Sequence, residues 1–388
     1  MAPSSGPLGV YIQVPFCQTK CTYCNFHTGV VARDRYQPYA EAVCREIREA
    51  AAPSAQAVDT VYFGGGTPSL LDPAALEQIL VTLRRAFKMD SVEATLEADP
   101  ETITPEKASA WLVSGINRIS LGAQSFSDSE LQSTGRMHRR ADIFQATQVA
   151  RDAGFRNISI DLIAGLPHQT RETWDESVDS LLHIRPEHVS IYMLEVDEGS
   201  RLGRESLAGG SRYGAGAIPN DDAISEFYEW ACARLEACGY EHYEISNWAL
   251  PGRRSRHNLK YWRREPYIGF GAGAHSFDGS TRWANVHDSA RYTELVEQGI
   301  SPREQIESVT PSRALEEEFF LGLRQLEGID LAGIERKYGA GLDDRVAALR
   351  GRIAGLHSQG FLDLEGTRLR LAPGRLTVSN EVFVELLG

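Results

Sequence analysis

The sequence predicts an α/β protein built on a mostly parallel sheet, followed by a smaller α+β unit. Short β-branched runs alternate with longer helical patterns over residues 1–245. Several of these runs are apolar on both faces, as in a sheet that helices cover on both sides. From about Pro311 the pattern changes to helices, two short strands and a last helix, which is typical of a winged-helix-like module.

The predicted strands and helices alternate along the chain. We expect strands over 8–14, 58–63, 92–97, 118–121, 157–163 and 188–194. We expect helices over 35–51, 73–87, 105–114, 142–153 and 171–183. Repeated β–α units with right-handed crossovers give an open doubly wound sheet or a barrel, and both remain open here. Six units are too few for a complete eight-fold barrel.

The second half of the chain is less regular. Residues 199–219 are rich in Gly, Ser and Arg and predict a long loop, and 221–237 predict a helix. An aromatic and basic region with an HNxxYW motif follows. The predicted domains are therefore a core at 1–245, a connecting region at 246–310 and a C-terminal domain at 311–388.

Composition limits the classes of function. The formal net charge of −13 argues against broad nucleic-acid binding, which usually needs a basic face. No stretch approaches the roughly 18 apolar residues that a membrane helix needs. The first residues lack the basic and apolar regions of a signal peptide, so we expect a cytoplasmic protein.

Three of the six cysteines, Cys17, Cys21 and Cys24, directly follow the first predicted strand. Clustered cysteines in a reducing compartment indicate metal ligands rather than disulfides. Their C-x3-C-x2-C spacing suits a [4Fe–4S] cluster whose fourth iron stays open for the amino and carboxylate groups of S-adenosylmethionine (SAM). The alternatives are a zinc site completed by His27 and a chance grouping of buried thiols.

Further motifs follow one another along the chain. They are YIxVPFC (11–17), GGGTP (64–68), LEADP (96–100), SLGAQSF (120–126), GRMH (135–138), DLIAGLP (161–167) and HNLKYW (257–262). With this set the chain resembles the radical SAM family of oxygen-independent coproporphyrinogen III dehydrogenases. It is more similar still to their HemW-type relatives, which are described as haem chaperones. The resemblance implies a partial (β/α)6 radical SAM barrel followed by a C-terminal domain.

The resemblance also implies which residues flank SAM. Gly65, Gly66 and Thr67 would approach SAM through the backbone, which glycine permits. Glu97 carries over as a carboxylate that faces SAM. The other positions that carry over are Tyr11, Tyr23, Gln124, Arg136 and Asp161. Taken alone, each of these residues also has an ordinary interpretation as a turn, a surface charge, a cap or core packing.

Two features differ from the dehydrogenases and match the HemW-type relatives. The motif of the dehydrogenases continues to a fourth cysteine, whereas Phe26 stands at that position here. The dehydrogenases also have a longer segment before the cluster, whereas only 16 residues precede Cys17 here.

A candidate haem surface surrounds His257, where arginines could pair with propionates and the imidazole could ligate iron. His275 is a weaker candidate ligand. The alternative is a solvated basic loop.

We therefore expect a haem chaperone that binds haem, a [4Fe–4S] cluster and SAM and delivers haem to an acceptor protein. An electron donor is a further expected partner, and membrane contact is expected only through the acceptor. The alternatives are a radical enzyme that decarboxylates coproporphyrinogen III or acts on a related tetrapyrrole, and a structural zinc protein.

Overall fold

The computed structural model describes residues 6–50 and 56–387, in which strands and helices alternate. The strands are β1 (Leu8–Val14), β2 (Ala57–Gly65), β3 (Lys88–Ala98), β4 (Arg118–Gln124), β5 (Ile158–Ala164), β6 (His188–Met193), β7 (Glu241–Glu244), β8 (Asn247–Ala249), β9 (Tyr267–Phe270), β10 (His275–Phe277), β11 (Thr281–Asn285), β12 (Arg303–Ser308), β13 (Ile329–Asp330), β14 (Leu362–Glu365) and β15 (Arg368–Leu371). The helices are α1 (Tyr36–Ala50), α2 (Pro73–Ala86), α3 (Pro105–Ser114), α4 (Asp128–Ser133), α5 (Arg140–Ala153), α6 (Arg171–Ile184), α7 (Arg201–Leu207), α8 (Asp221–Ala237), α9 (Arg256–Trp262), α10 (Ser289–Glu297), α11 (Pro311–Gly322), α12 (Leu331–Ser358) and α13 (Ser379–Leu387).

The first six strands form the parallel centre of the sheet. Each of β1 to β5 pairs in parallel with the next strand in the chain, as where Tyr11 lies opposite Tyr62. The intervening helices make the crossovers, and the result is a partial (β/α)6 barrel. The predicted strands and helices of this region are all present. The last residue of the first predicted helix, Ala51, lies outside the described residues.

Short-range signals explain where the crossover helices begin and end. The Asp72 carboxylate accepts a hydrogen bond from the Ala74 N–H at 2.9 Å, and Pro73 opens α2. Thr104 and Pro105 begin α3 in the same way, and Gly115 ends it with a φ of +104°. These turns return the chain to the sheet, so the carboxyl ends of β1–β6 meet at one edge.

The sheet continues beyond the parallel strands at both edges. β9 pairs in parallel with β1, and β10, β11 and β12 follow in antiparallel order, while β8 and β7 extend the edge beside β6. The sequence analysis did not predict these strands, because five of the six have only three to five residues, too few to show a clear hydrophobic alternation. It was also wrong to treat 199–219 as a loop throughout, since α7 begins there after Ser200, whose hydroxyl accepts from the Gly203 N–H at 2.8 Å.

The barrel interior is polar, whereas the outer face of the sheet packs against the helices. Val10, Ile12 and Val14 of β1 point outward and are fully buried in the main core. The strands contribute buried hydroxyl side chains, which are Thr60, Thr95, Ser120, Ser159 and Ser190. The amino ends of the first strands lie against α9, where the Lys260 ammonium donates to the Pro7 carbonyl at 2.8 Å. Polar groups therefore extend from one end of the barrel to the other.

The C-terminal unit has its own hydrophobic core. Leu315 and Phe319 of α11, Leu356 of α12 and Phe383 of α13 pack in it. Its antiparallel sheet has the order β13-β15-β14, which with the three helices gives the expected winged-helix-like arrangement. The Ile245 N–H donates to the Arg324 carbonyl at 3.0 Å and joins this unit to the barrel. Within the described ranges, no helix is both long enough and apolar enough to cross a membrane.

Candidate functional site

A cavity of about 470 Å³ opens at the carboxyl ends of the parallel strands. This is the end at which α/β barrels hold their ligands, and the volume lies within the range of small-molecule sites. The cavity brings together most of the predicted cofactor residues, namely Cys17, Cys21, Tyr23, Cys24, Gly65, Gly66, Thr67, Glu97, Gln124, Arg136 and Asp161. The remaining two, Tyr11 and His257, are not part of its lining.

The cysteines lie on a loop whose two ends are held together. The Cys17 N–H donates to the Gly29 carbonyl at 3.0 Å, and the Gly29 N–H donates to the Pro15 carbonyl at 2.9 Å. The middle of the loop is fixed by the Thr22 N–H, which donates to the Thr134 carbonyl at 3.0 Å. All three thiols are free and partly exposed. Burial raises the pKa of Cys17 and of Cys24, so metal binding would release their protons.

The arrangement of the thiols fits a cluster better than a zinc ion. In the described part of the chain, no three His, Cys, Asp or Glu side chains are grouped around one ion position. Thiolates on a single zinc lie about 2.3 Å from it and must crowd together. In a [4Fe–4S] cluster each thiolate binds a different iron, so the sulfur atoms stand farther apart. Cys17, Cys21 and Cys24 line one cavity, where each thiol could bind one iron of such a cluster.

The glycine loop after β2 lies directly against the cysteine loop. The Gly66 N–H donates to the Val14 carbonyl at 2.9 Å, and the Thr67 N–H donates to the Phe16 carbonyl at 2.7 Å. A Cβ on Gly66 would lie 2.6 Å from the Phe16 oxygen, and Gly65 has a φ of +107°. Only glycine fits both positions without a shift of the backbone.

Glu97 stands at the end of β3 beneath the glycine loop. Its carboxylate accepts hydrogen bonds from the Tyr62 hydroxyl at 2.9 Å and from the Gly65 N–H at 3.1 Å. Burial raises the pKa of Glu97 to about 7, and Asp161 and Asp99 act in the same direction. This carboxyl therefore changes its charge close to neutral pH when the cavity holds no ligand.

Arg136 links the third strand to the cysteine loop. Its guanidinium pairs with the Asp99 carboxylate and donates to the Gly122 carbonyl at 2.6 Å and to the Cys21 sulfur at 3.5 Å. The Thr67 hydroxyl donates to Asp99 at 3.1 Å. These contacts hold Arg136 against the cysteine loop.

Asp161 and Gln124 also line the cavity. The Asp161 carboxylate accepts hydrogen bonds from the Ser120 hydroxyl at 3.3 Å and from the Ser159 hydroxyl at 3.4 Å. Burial raises the pKa of Asp161, although a hydrogen bond from Ser190 and the positive charge of Arg118 act to lower it. Gln124 ends β4 with a φ of +66°, which turns the chain away from the sheet. Both side chains keep polar groups available to a ligand.

Tyr11 lies one layer below the cavity. Its ring stacks on Tyr62 with centroids 6.0 Å apart, and a Cβ on Gly64 would lie 2.9 Å from its hydroxyl. Tyr11 therefore supports the glycine loop from beneath. Contact between Tyr11 and SAM remains a prediction.

His257 lies at the closed end of the barrel, away from the cavity. Its Nδ1 is hydrogen-bonded to the Thr60 hydroxyl and its Nε2 to the Tyr261 hydroxyl, both at 2.9 Å. Burial lowers the pKa of His257 to about 3, so the imidazole is neutral. Ligation of haem iron by His257 would have to break one of these hydrogen bonds.

The basic residues around His257 form ion pairs within the fold. Arg254 pairs with Glu241, Arg256 and Lys260 share Asp59, and Arg263 pairs with Glu327, with N–O distances of 2.8 to 3.4 Å. Arg264 pairs with two glutamates of α11. The alternative expectation of a solvated basic loop is wrong, because residues 256–262 form α9, in which His257 and Lys260 are buried.

Comparison with known proteins agrees with the geometry of the site. Residues 11–181 match the radical SAM superfamily, and residues 309–374 match the HemN C-terminal domain. The chain is 34% identical to the heme chaperone HemW of Bacillus subtilis (strain 168), covering 97% of this chain and 98% of that one. It is 36% identical to the heme chaperone HemW of Mycobacterium tuberculosis (strain H37Rv), covering 100% and 97%.

The chain belongs to the HemW-type family of radical SAM proteins. Membership of the radical SAM superfamily implies a [4Fe–4S] cluster and SAM as cofactors. Among solved structures, the E. coli coproporphyrinogen III oxidase HemN, described as a radical SAM enzyme, has a TM-score of 0.83 and 22% sequence identity. The match covers 99% of this chain and 91% of that one, so the two share their fold over the full length.

This HemW-type site also contains residues that the sequence analysis did not assign. Asp99 belongs to the LEADP motif and directly follows the strand that carries Glu97. Its position two residues after Glu97 could therefore have identified it as a residue of the site. Tyr192 of β6, and Arg324 and Asn380 of the C-terminal unit, also line the cavity. No local pattern marks Arg324, because tertiary packing alone brings it to the barrel.

Proposed function

We propose that this protein is a haem chaperone that holds haem at the mouth of the barrel, above a [4Fe–4S] cluster and SAM, and passes it to an acceptor protein. The name heme chaperone HemW, borne by full-length relatives from two bacteria, supports this role. An electron donor would be a further partner. Haem would lie at the mouth because SAM would occupy much of a cavity of about 470 Å³.

The observation that carries the proposal is the position of Phe26. Its side chain is 65% exposed and lines the cavity, in the place where the resemblance puts a fourth cysteine in the dehydrogenases. Met137 and Tyr192 are also exposed and line the same cavity, and a group of exposed apolar side chains marks a binding surface. The face of an aromatic ring can cover a flat apolar macrocycle.

The residues of the cavity suit both radical SAM cofactors. Cys17, Cys21 and Cys24 would hold the cluster, which would supply an open iron for SAM and an electron to it. The acidic side chains Glu97 and Asp161 would attract the positive charges of SAM. Arg136 would donate a hydrogen bond to the Cys21 sulfur while its own charge is balanced by Asp99.

The test is a haem titration of the full-length protein after anaerobic reconstitution of the cluster. We expect a saturable Soret change with about one haem per chain, followed by transfer of that haem to an apo b-type cytochrome. Phe26→Ala should weaken haem binding roughly 10- to 100-fold, because burial of a Phe side chain contributes about 1.5–3 kcal/mol. The matched control is Val113→Ala, which removes another exposed apolar side chain, on α3.

Three results would contradict the proposal. They are a failure of the wild type to bind haem saturably, equal effects of Phe26→Ala and Val113→Ala, and retention of haem in the presence of the apo-cytochrome. Incubation with coproporphyrinogen III, SAM and reductant tests the alternative directly. Formation of protoporphyrinogen IX would show that the protein is a radical enzyme, and the chaperone function would then be rejected.

A further inference from the structure

One basic side chain of the cavity lining has no hydrogen-bond partner within the fold. The basic residues that line the cavity in the described ranges are Lys20, Arg136 and Arg324. The Lys20 ammonium donates to the Phe26 carbonyl at 3.2 Å, and Arg136 pairs with Asp99. The Arg324 guanidinium forms no hydrogen bond or ion pair with any described residue, and its Nε is buried. A buried donor without an acceptor costs stability, so it marks a place for an acceptor from outside the chain.

The backbone around Arg324 is held against the barrel. The Ile245 N–H donates to the Arg324 carbonyl at 3.0 Å, and the Leu326 N–H donates to the Tyr243 carbonyl at 3.2 Å. These bonds attach the segment after α11 to β7 and to the residue that follows it. The guanidinium therefore reaches the cavity from a hydrogen-bonded segment of the C-terminal unit.

An indole ring supports the Arg324 guanidinium. Cζ of Arg324 lies 4.5 Å from the ring centroid of Trp262, which is the last residue of α9 and of the HNxxYW motif. A guanidinium over the face of an indole is attracted to the ring, while its N–H donors stay free at its edge. Trp262 therefore orients Arg324 without using its hydrogen-bonding capacity.

The acidic side chain of Glu244 does not use this capacity either. Burial raises the pKa of Glu244, and the positive charge of Arg324 acts against this rise. The Glu244 carboxylate accepts hydrogen bonds instead from the Asn247 side-chain amide and, at 3.2 Å, from the Ser246 N–H. Arg324 thus acts on Glu244 through space, and its donors remain available to a ligand.

The rest of the lining indicates which ligand carries the matching group. Phe26, Met137 and Tyr192 give the cavity exposed apolar surface. A cation beside such a surface suits a flat apolar ring that carries carboxylates at its edge. The carboxylate of SAM would be held at the open iron of the cluster, so a carboxylate at Arg324 would belong to the tetrapyrrole.

We propose that Arg324 binds a propionate carboxylate of haem at the mouth of the cavity, and that Trp262 positions its guanidinium. This inference rests on the proposed haem-chaperone function. The planar fork of N–H donors on a guanidinium matches the geometry of a carboxylate, and the charge strengthens these hydrogen bonds. The macrocycle would lie on the apolar side chains of the lining while its edge points to Arg324.

The test compares haem with its dimethyl ester, whose propionates carry no charge, in Soret titrations of the reconstituted full-length protein. We expect the wild type to bind haem roughly 10- to 100-fold more tightly than the ester, as for a hydrogen bond between charged groups. Arg324→Met keeps the approximate length of the side chain but removes the charge. It should lose this preference and bind the ester as the wild type does. Arg324→Lys should retain part of the preference, because it keeps the charge.

Two further variants separate positioning from folding. Trp262→Leu should reduce the preference for haem about threefold, because the cation–π contact that orients Arg324 is lost. Arg263→Met is the matched control, since Arg263 pairs with Glu327 at 3.4 Å and donates to Gln325 at 3.2 Å. It should keep the wild-type preference. Iron content and SAM affinity should stay at the wild-type level in all the variants.

The outcomes separate this inference from the proposed function. If the wild type binds haem and the ester equally, it recognises no carboxylate and the inference fails alone. The inference also fails if Arg324→Met keeps the preference, or if it weakens haem and ester by the same factor. Loss of SAM affinity in Arg324→Met with unchanged haem binding would assign the carboxylate to SAM and overturn the inference. If the wild type binds neither tetrapyrrole, the proposed function fails and the inference with it.

Discussion

Glu97 controls the charge of the cavity near neutral pH, because burial raises the pKa of its carboxyl group to about 7. The carboxyl is neutral below this pKa and negative above it, so its attraction for the cationic SAM is lost as the pH falls through about 7. We predict that SAM affinity rises by up to roughly tenfold between pH 6 and pH 8. Calorimetric titration of the reconstituted protein with SAM measures this rise, which Glu97→Gln should remove.

Glu101 provides the matched control, since it lines the same cavity. Burial raises the pKa of its carboxyl group, but the hydrogen bonds with His138 and with its own backbone N–H, together with the charges of His138 and Arg136, outweigh this and the net pKa is lowered. Glu101 is therefore ionised over the whole range, and Glu101→Gln should keep the pH dependence. If SAM affinity still rises steeply with pH in Glu97→Gln, another titrating group causes the rise.

At the scale of elements, the glycine loop shows how closely two segments must approach to form the site. We predict that Gly66→Ala destabilises the fold by about 1–3 kcal/mol, because its Cβ would meet the backbone of Val14 and Phe16 at 2.6–2.9 Å. Urea unfolding measures this loss, and the iron content after reconstitution should fall with it.

Gly29 offers a control in the cysteine loop itself. A Cβ on Gly29 would meet no atom within 4 Å, so Gly29→Ala should leave both stability and iron content close to wild type. Equal effects of the two substitutions would show that the loop tolerates no added side chain anywhere, and would remove the special role of Gly66.

The strands and helices also differ in how far the sequence could predict them. The six parallel strands were predictable because each is a continuous apolar or alternating run between clear turn signals, as at Asp72–Pro73. The short strands β8 and β10 were not, since three residues are too few to show a period. The residues of the cavity followed from the motifs, whereas the partners of His257 depended on α9 packing against β2 and β3, which no local pattern reveals.

At the scale of the whole molecule, the site depends on how the C-terminal unit is attached to the barrel. Arg324, Ser379 and Asn380 of that unit line the cavity, so its position shapes the mouth at which haem would bind. Arg264 joins the two parts, because its guanidinium pairs with Glu317 at 2.8 Å and with Glu318 at 3.1 Å, and only 6% of its side chain is exposed. A second arginine, Arg282, also pairs with Glu317. The attachment is therefore largely ionic and shielded from water.

Breaking this attachment should loosen the C-terminal unit before the barrel unfolds. We predict that Arg264→Met destabilises the protein by about 1.5–3 kcal/mol, since Glu317 and Glu318 each lose a charged hydrogen bond but keep Arg282 and Lys337 as partners. Limited proteolysis and denaturant unfolding measure the effect, and cleavage should begin near α11. Arg291→Met is the control, because its pair with Glu294 is 53% exposed on both sides and should contribute less than about 1 kcal/mol. If the two variants unfold alike, the attachment rests on the apolar contacts of Ile245 rather than on the ion pairs, and the mouth of the cavity would keep its shape without them.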